Sequence, residues 1–298
     1  MTRRQADGLL VAATFLWGTS FVVVKSALAS TTPLALVAIR FAIATVLLTP
    51  FTRLAPLPTR REASSGLLLG MLLAAGFATQ TVGLVHTTPS RSAFIVASSS
   101  VLAPVVAFFA VRERPRWWTV AAFLLAGVGI YYLTAPEAGG FNRGDLWTLG
   151  TAVVWGGQIV AVAELARRHD PTRLVWMQTA FTAVGAALGA ALFEDARIGW
   201  TPAFTGALGF LAVFATAVAL RWQMRAQRHM SSARAALIFC LEPVFAAGTS
   251  WLWLGERLSL TQWLGGGLIL LGMVVADLPS SRQPVEVGPP RDDIPMPS

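Results

Sequence analysis

Five aromatic residues stand one helical turn from a side chain that hydrogen-bonds: Trp17 with Ser20, Phe77 with Gln80, Phe94 with Ser98, Trp155 with Gln158, and Phe239 with Glu242. Spacings of three or four put each pair on one helix face. A ring beside a hydroxyl, amide or carboxyl suits the holding of a small amphipathic molecule rather than the making or breaking of its bonds. The competing reading is packing, since 17 Phe and 11 Trp fall beside polar residues often by chance.

Two charged residues, Arg40 and Glu242, sit deep inside apolar runs, well away from their ends, where charge is costly and each instance is a candidate for function. Glu242 lies halfway along its run, placed to couple transport to a proton, to meet an ammonium group, or to hold the helix break at Pro243. Arg40 lies seven residues into another run, roughly 10 Å from its end. It either attracts a carboxylate or snorkels and pairs with a carbonyl. His86 and Arg91 fall near a membrane surface, as exit-gate or plain loop residues.

Enzyme chemistry finds no support, with no His-Glu-x-x-His, no Gly-x-Ser-x-Gly and no paired carboxylates within the apolar runs. A single cysteine, Cys240, forms no intramolecular disulfide and has no metal-ligand spacing, so neither metal nor cofactor is expected. A channel would want a ring of like charges or a repeated filter stretch, and neither is present.

The elements that must position these residues are membrane helices. Of 298 residues 55% are hydrophobic and 13% charged, and the mean hydropathy is +0.61, too apolar for a soluble domain. Ten runs near twenty residues can be drawn, at 6–26, 33–52, 65–86, 91–111, 117–134, 144–164, 172–193, 202–224, 231–254 and 261–278. Each is long enough to cross about 30 Å of hydrocarbon, and unpaired backbone is not tolerated there, so they are read as helices. Proline and glycine mark the short connections, at Pro33, Pro56, Pro58, Pro89, Pro115, Pro136, Pro171 and Pro202.

The net charge of +8 sits in clusters between the runs, which is a topology signal and excludes a nucleic-acid face. With the N-terminus inside, the inner segments hold 17 Lys and Arg and the outer ones five, Lys25, Arg91, Arg143, Arg197 and Arg257. That bias predicts both termini on the cytoplasmic side. Arg3-Arg4, the first run and Ala27-Leu28-Ala29 resemble a cleaved leader, but Lys25 argues against cleavage. Residues 279–298, with six prolines, are expected to be a disordered tail.

The chain also repeats itself. Trp17-Gly18 recurs as Trp155-Gly156 at an offset of 138, Pro33 as Pro171, and Arg40 falls on Gln178. Pro104 falls on Pro243 at 139, and Arg112-Glu113-Arg114 on Gly255-Glu256-Arg257 at 143. Residues 1–135 and 136–278 are therefore read as two five-helix repeats. An odd helix number per repeat inverts the second one, the construction of many secondary transporters with a site at the repeat interface. The fold class expected is an all-α integral membrane protein, with ten helices in two inverted halves around a central cavity.

The early Trp-Gly, the Arg of the second run, Gln80-Thr81-Val82-Gly83-Leu84 before Ser90-Arg91-Ser92-Ala93-Phe94, and Leu241-Glu242-Pro243-Val244-Phe245 before Gly255-Glu256-Arg257-Leu258 resemble the EamA family of the drug/metabolite transporter superfamily. The resemblance spans about residues 6–278. It implies an exporter of small metabolites in the bacterial inner membrane, similar to the family's aromatic amino acid exporters. Amino acids are the expected substrates, with drug-like cations or nucleosides as alternatives. The lipid bilayer is the other partner, protons are a candidate coupling ion, and one chain holds a complete pathway as a monomer.

Overall fold

The computed structural model describes residues 1–52, 57–102, 117–133, 140–229, 235 and 238–277. Pro56, Pro104, Arg112-Glu113-Arg114, Pro115, Pro136 and the 279–298 tail lie outside the described residues. Among the described residues the main helices, in chain order, are α1 (Arg3–Ala27), α2 (Pro33–Leu48), α3 (Arg60–His86), α4 (Pro89–Ala97), α5 (Trp117–Leu133), α6 (Arg143–Arg168), α7 (Pro171–Phe193), α8 (Pro202–Gln227), α9 (Glu242–Leu254) and α10 (Leu260–Asp277). Six of them, α1, α2 with its terminal 3-10 turn, α3, α6, α7 and α8, are long and apolar enough to cross a membrane. Among the described residues extended pairing is limited to one isolated bridge, Thr31 with Ile198.

The expected punctuation acts at helix starts. Pro33, Pro89, Pro171 and Pro202 all occupy the first turn of their helices, where the missing N–H has no partner to lose. Side chains of Thr88, Asp170 and Thr201 cap the free amides behind three of these prolines. Two capping boxes, Thr2 with Gln5 and Asn142 with Asp145, open α1 and α6, the helices that carry the repeated Trp-Gly.

Three helices are irregular, and all three irregularities border the same interior region. A turn at Ser98 interrupts the fourth run, which is helical again over 99–102, and a turn at Cys240–Leu241 precedes α9. Pro243 sits in the first turn of α9, so the break falls just before the proline, as its missing donor requires. Within α8, residues Val213–Val218 form a π-helix. One extra residue per turn frees backbone carbonyls there, a feature that recurs at functional positions.

Helix packing runs chiefly between residues before 135 and residues after 142. The largest contacts are α5 with α10, α2 with α7, α3 with α6 and α7, and α1 with α8 and α9, with α4 joining α6 and α9. Exchanging α1–α5 for α6–α10 returns the same principal neighbours, because α3 on α6 becomes α8 on α1 and α1 on α9 becomes α6 on α4. A close approach is made between α5 and α10, where a Cβ on Gly129 would lie 2.6 Å from the Gly265 carbonyl oxygen and one on Gly265 the same distance from that of Gly129. Small residues at such crossings let backbones meet directly, which is how membrane helices gain dispersion contact that lipid does not supply.

Candidate functional site

A partly open cavity lies where α1, α3, α4, α6, α8 and α9 converge. Eight of the residues singled out from sequence line it: Trp17, Ser20, Phe77, Gln80, Trp155, Gln158, Phe239 and Glu242. Its lining, mainly apolar with a few convergent polar groups, is that of a site for a small organic molecule. The wall is built from crossed aromatic pairs. Phe77 of α3 meets Trp155 of α6 edge-on at 5.1 Å, and Trp17 of α1 tilts against Phe239 at 5.9 Å. Each pair joins a helix before residue 135 to a residue after 142, so the rings both line the cavity and tie its sides together.

Glycines place these rings. Trp155 lies over Gly76, where a Cβ would come within 2.8 Å of the indole, and Gly18 brings α1 against the first turn of α9, 2.7 Å from the Glu242 carbonyl by the same measure. The glycine beside Trp17 is thus a helix contact that carries Glu242 to the cavity. Glu242 stands at the start of α9 and is the one ionisable side chain among the described lining residues.

Phe94 and Ser98 lie outside the lining. Phe94 is buried against Gly266 of α10 and edge-on to Trp263, and the Ser98 hydroxyl donates to the Ile95 carbonyl at 2.6 Å. The turn at Ser98 swings the wall one or two residues onward, so that Ser99 and Ser100 line the cavity in its place. The Ser100 hydroxyl is buried with no protein partner among the described residues. Gln223 and the apolar Leu73, Val96, Ile159 and Leu220 complete much of the remaining lining. Gln223 carried no signal in the sequence, standing among arginines near the end of an apolar run.

Arg40 stands behind the wall, 2% exposed. Its Nε donates to Thr216 Oγ1 at 2.6 Å and its Nη2 to the Ala215 carbonyl at 3.3 Å, both within the π-helix of α8. Trp17 Nε1 donates to the same carbonyl at 2.9 Å. The guanidinium also lies 4.5 Å from the centre of the Phe77 ring. A buried cation is satisfied here by the carbonyl that the extra residue frees, and in return it fixes two cavity rings. Carbonyl pairing is therefore the arrangement adopted by Arg40. Gln178, at the matching place in the other repeat, accepts from Gln158 Nε2 at 3.4 Å. Replacing Thr216 by valine removes the acceptor from a charged donor, and thermal unfolding should show a loss of about 1–3 kcal/mol.

Beyond the cavity, toward the ends of α3 and α9, polar groups knit one end of the bundle shut. Arg91 at the start of α4 pairs with Asp145 of α6 at 2.5 Å, with both side chains almost fully buried. Arg91 also donates to the Gly140 carbonyl, and Thr87 Oγ1 donates to Asp145 at 3.0 Å. Lys25 donates to the carbonyls of Leu84 and Thr87 at 2.6 and 3.0 Å. Glu256, just past α9, accepts from Ser90 Oγ at 2.8 Å and from the Ser250 hydroxyl. Of the two loop residues noted in the sequence, Arg91 is thus a buried member of this cluster, whereas His86 is exposed.

The profile of the EamA-like transporter family matches residues 4–135 and again residues 142–276. The chain belongs to this family. Among EamA-type relatives, an uncharacterized transporter of Archaeoglobus fulgidus is 33% identical over 277 residues, 93% of this chain and 87% of that one. The uncharacterized inner membrane transporter YedA of Escherichia coli is 28% identical, with 91% and 90% covered. The uncharacterized transporter YwfM of Bacillus subtilis is 25% identical, with 92% and 94% covered. A protein of known crystal structure shares the fold at a TM-score of 0.70 and 22% identity, over 94% of this chain and 99% of its own. This EamA protein is accordingly a membrane transporter, and the cavity is its candidate substrate site.

Proposed function

We propose that this transporter exports amino acids or related small amphipathic metabolites across the bacterial inner membrane, by alternating access of two inverted five-helix halves about the central cavity. The observation that carries this reading is the chemistry of the wall. Among the described lining residues, four aromatic rings, three carboxamides, three serines and one carboxyl group converge on the cavity. Glu242 suits an ammonium group, the amides and hydroxyls of Gln80, Gln158, Gln223 and Ser100 suit a carboxylate, and the rings suit an apolar side chain. The repeated family match and the exchangeable helix neighbours support two related halves, each contributing one partner to both aromatic pairs of the cavity wall. The Lys and Arg bias supports cytoplasmic termini. The polar cluster around Arg91 and Asp145 then lies on the outer side, where substrate leaves once it opens.

The test is counterflow in reconstituted vesicles with aromatic, aliphatic and hydroxy amino acids, nucleosides and a cationic dye. Exchange of at least one amino acid class is expected, and dye movement without amino acid exchange overturns the substrate assignment. A second reading, efflux of organic cations, is favoured by Glu242 being the one ionisable group among the described lining residues. Glu242→Gln keeps the shape and removes the charge. It should lower transport strongly if the carboxylate holds an ammonium group or carries a coupling proton. Full activity with an unchanged pH dependence excludes both roles.

A further inference from the structure

The end of the bundle opposite the Arg91 and Asp145 cluster is closed differently. Ala6 and Leu10 of α1, Ile159 of α6, Ala226 of α8, Ala235 and Phe239 form an apolar cluster there, and Ile159 and Phe239 also line the cavity. The cluster thus lies between the cavity and the N-terminal end of α1. One residue at this level does not fit an apolar plug. Gln227, next to Ala226 in the last turn of α8, is 3% exposed, and neither its Oε1 nor its Nε2 has a hydrogen-bond partner among the described residues. Gln223, one turn earlier on the same face of α8, lines the cavity.

A buried amide with both ends unmet costs about 1–3 kcal/mol, and in an apolar site leucine of similar volume would avoid that cost. Phe239 and Ile159 show that apolar side chains are available to this cluster. The amide thus weakens the closed plug and is satisfied when the plug parts, because it then faces water or a polar solute.

We propose that Gln227 is the entrance station of the transport path: on opening of the plug its amide binds the polar head of a zwitterionic or neutral polar solute and passes it, by way of Gln223, to the cavity at Glu242. One amide offers a donor and an acceptor together, which matches a carboxylate beside an ammonium, or a second amide, and does not favour a simple cation or anion. The solute class rests on the amino acid reading above, and the location of the entrance does not.

Two measurements test it. In a Cys240→Ser background, Gln227→Cys is exposed in oriented vesicles to a charged, membrane-impermeant methanethiosulfonate added to one face. Labelling from the face that bears the N-terminus, and not from the other, is expected. Failure to label from that face, in protein that folds and melts normally, overturns the entrance. Gln227→Leu is then compared with the parent in counterflow of an amino acid that the parent carries. KM measured from the N-terminal face should rise about tenfold while KM from the other face stays within twofold, and the melting temperature should hold or rise. A rise in melting temperature with both KM values unchanged overturns the binding role, because it marks a buried amide with no part in transport. Absence of amino acid exchange in the parent, with the labelling pattern intact, rejects the substrate class and leaves the entrance standing.

Discussion

Asp145→Ala should lower the stability of the folded protein by about 3–5 kcal/mol, the loss found when one partner of a buried ion pair is removed and the other stays behind. Arg91 would remain buried at the start of α4, facing the Gly140 carbonyl but no carboxylate at 2.5 Å. Asp145 has a second task as well, since its Oδ2 accepts from the Asn142 amide at 2.9 Å to complete the capping box of α6. Losing that cap adds about 1 kcal/mol. Arg91→Leu should cost less, because Asp145 would still accept from Thr87 Oγ1 and from Asn142. The leucine pair at both positions should recover most of the loss, since a buried ion pair exchanged for apolar groups is often neutral. Melting curves of the four proteins in one detergent give the order parent, double variant, Arg91→Leu, Asp145→Ala. Equal melting of Asp145→Ala and Arg91→Leu would show that the cap and the hydroxyl contribute nothing.

The second large effect is expected at the crossing of α5 and α10. A Cβ at Gly265 would stand 2.6 Å from both the Gly129 carbonyl oxygen and the Leu133 nitrogen. Both are backbone atoms in the facing helix, so no side chain can turn aside and the two helices must separate along their length. Overpacking of a core costs about 1–3 kcal/mol even when side chains can yield. Gly265→Leu should therefore abolish recovery of folded protein, and Gly265→Ala should lower the melting temperature sharply. Gly267, two residues on, has nothing within 4 Å of its own Cβ position. Gly267→Ala should be neutral or stabilising by about 0.5–1 kcal/mol, through the backbone freedom that alanine does not have to lose. Fluorescence size-exclusion profiles of the three variants separate clash from a general intolerance of helix 10 to substitution.

Membrane crossing, helix boundaries and much of the cavity wall were legible in the sequence for simple reasons. Hydrocarbon forces long apolar runs, proline marks first turns, and a spacing of three or four brings a ring and a polar group to one face. That last rule places Trp17, Phe77, Trp155 and Phe239 correctly on inward faces but fails for Phe94 and Ser98. The rule assumes an unbroken helix, and the turn at Ser98 rotates the wall onto Ser99 and Ser100. Asp145 could not be found in this way, because its partner lies 54 residues away and neither residue is unusual where it stands. The π-helix of α8 is equally silent, since Val213–Val218 read as ordinary helix until Arg40 arrives from another segment to take up the freed carbonyl. Local rules decode what one helix does alone; pairings across the fold are set by the neighbour.

The pattern of helix contacts has a consequence for how the protein is made. Neighbours in sequence within each half touch little, whereas α2, α3 and α5 find their main partners only among α6, α7 and α10. When the ribosome has delivered residues up to Leu133, α1–α5 have been made but their main partners have not. Tertiary structure must then wait for the second half, and stop codons or truncations past the midpoint should leave inserted but unassembled chains for quality-control proteases. Assembly is thus late, because α5 meets its main partner only once α10 has been translated.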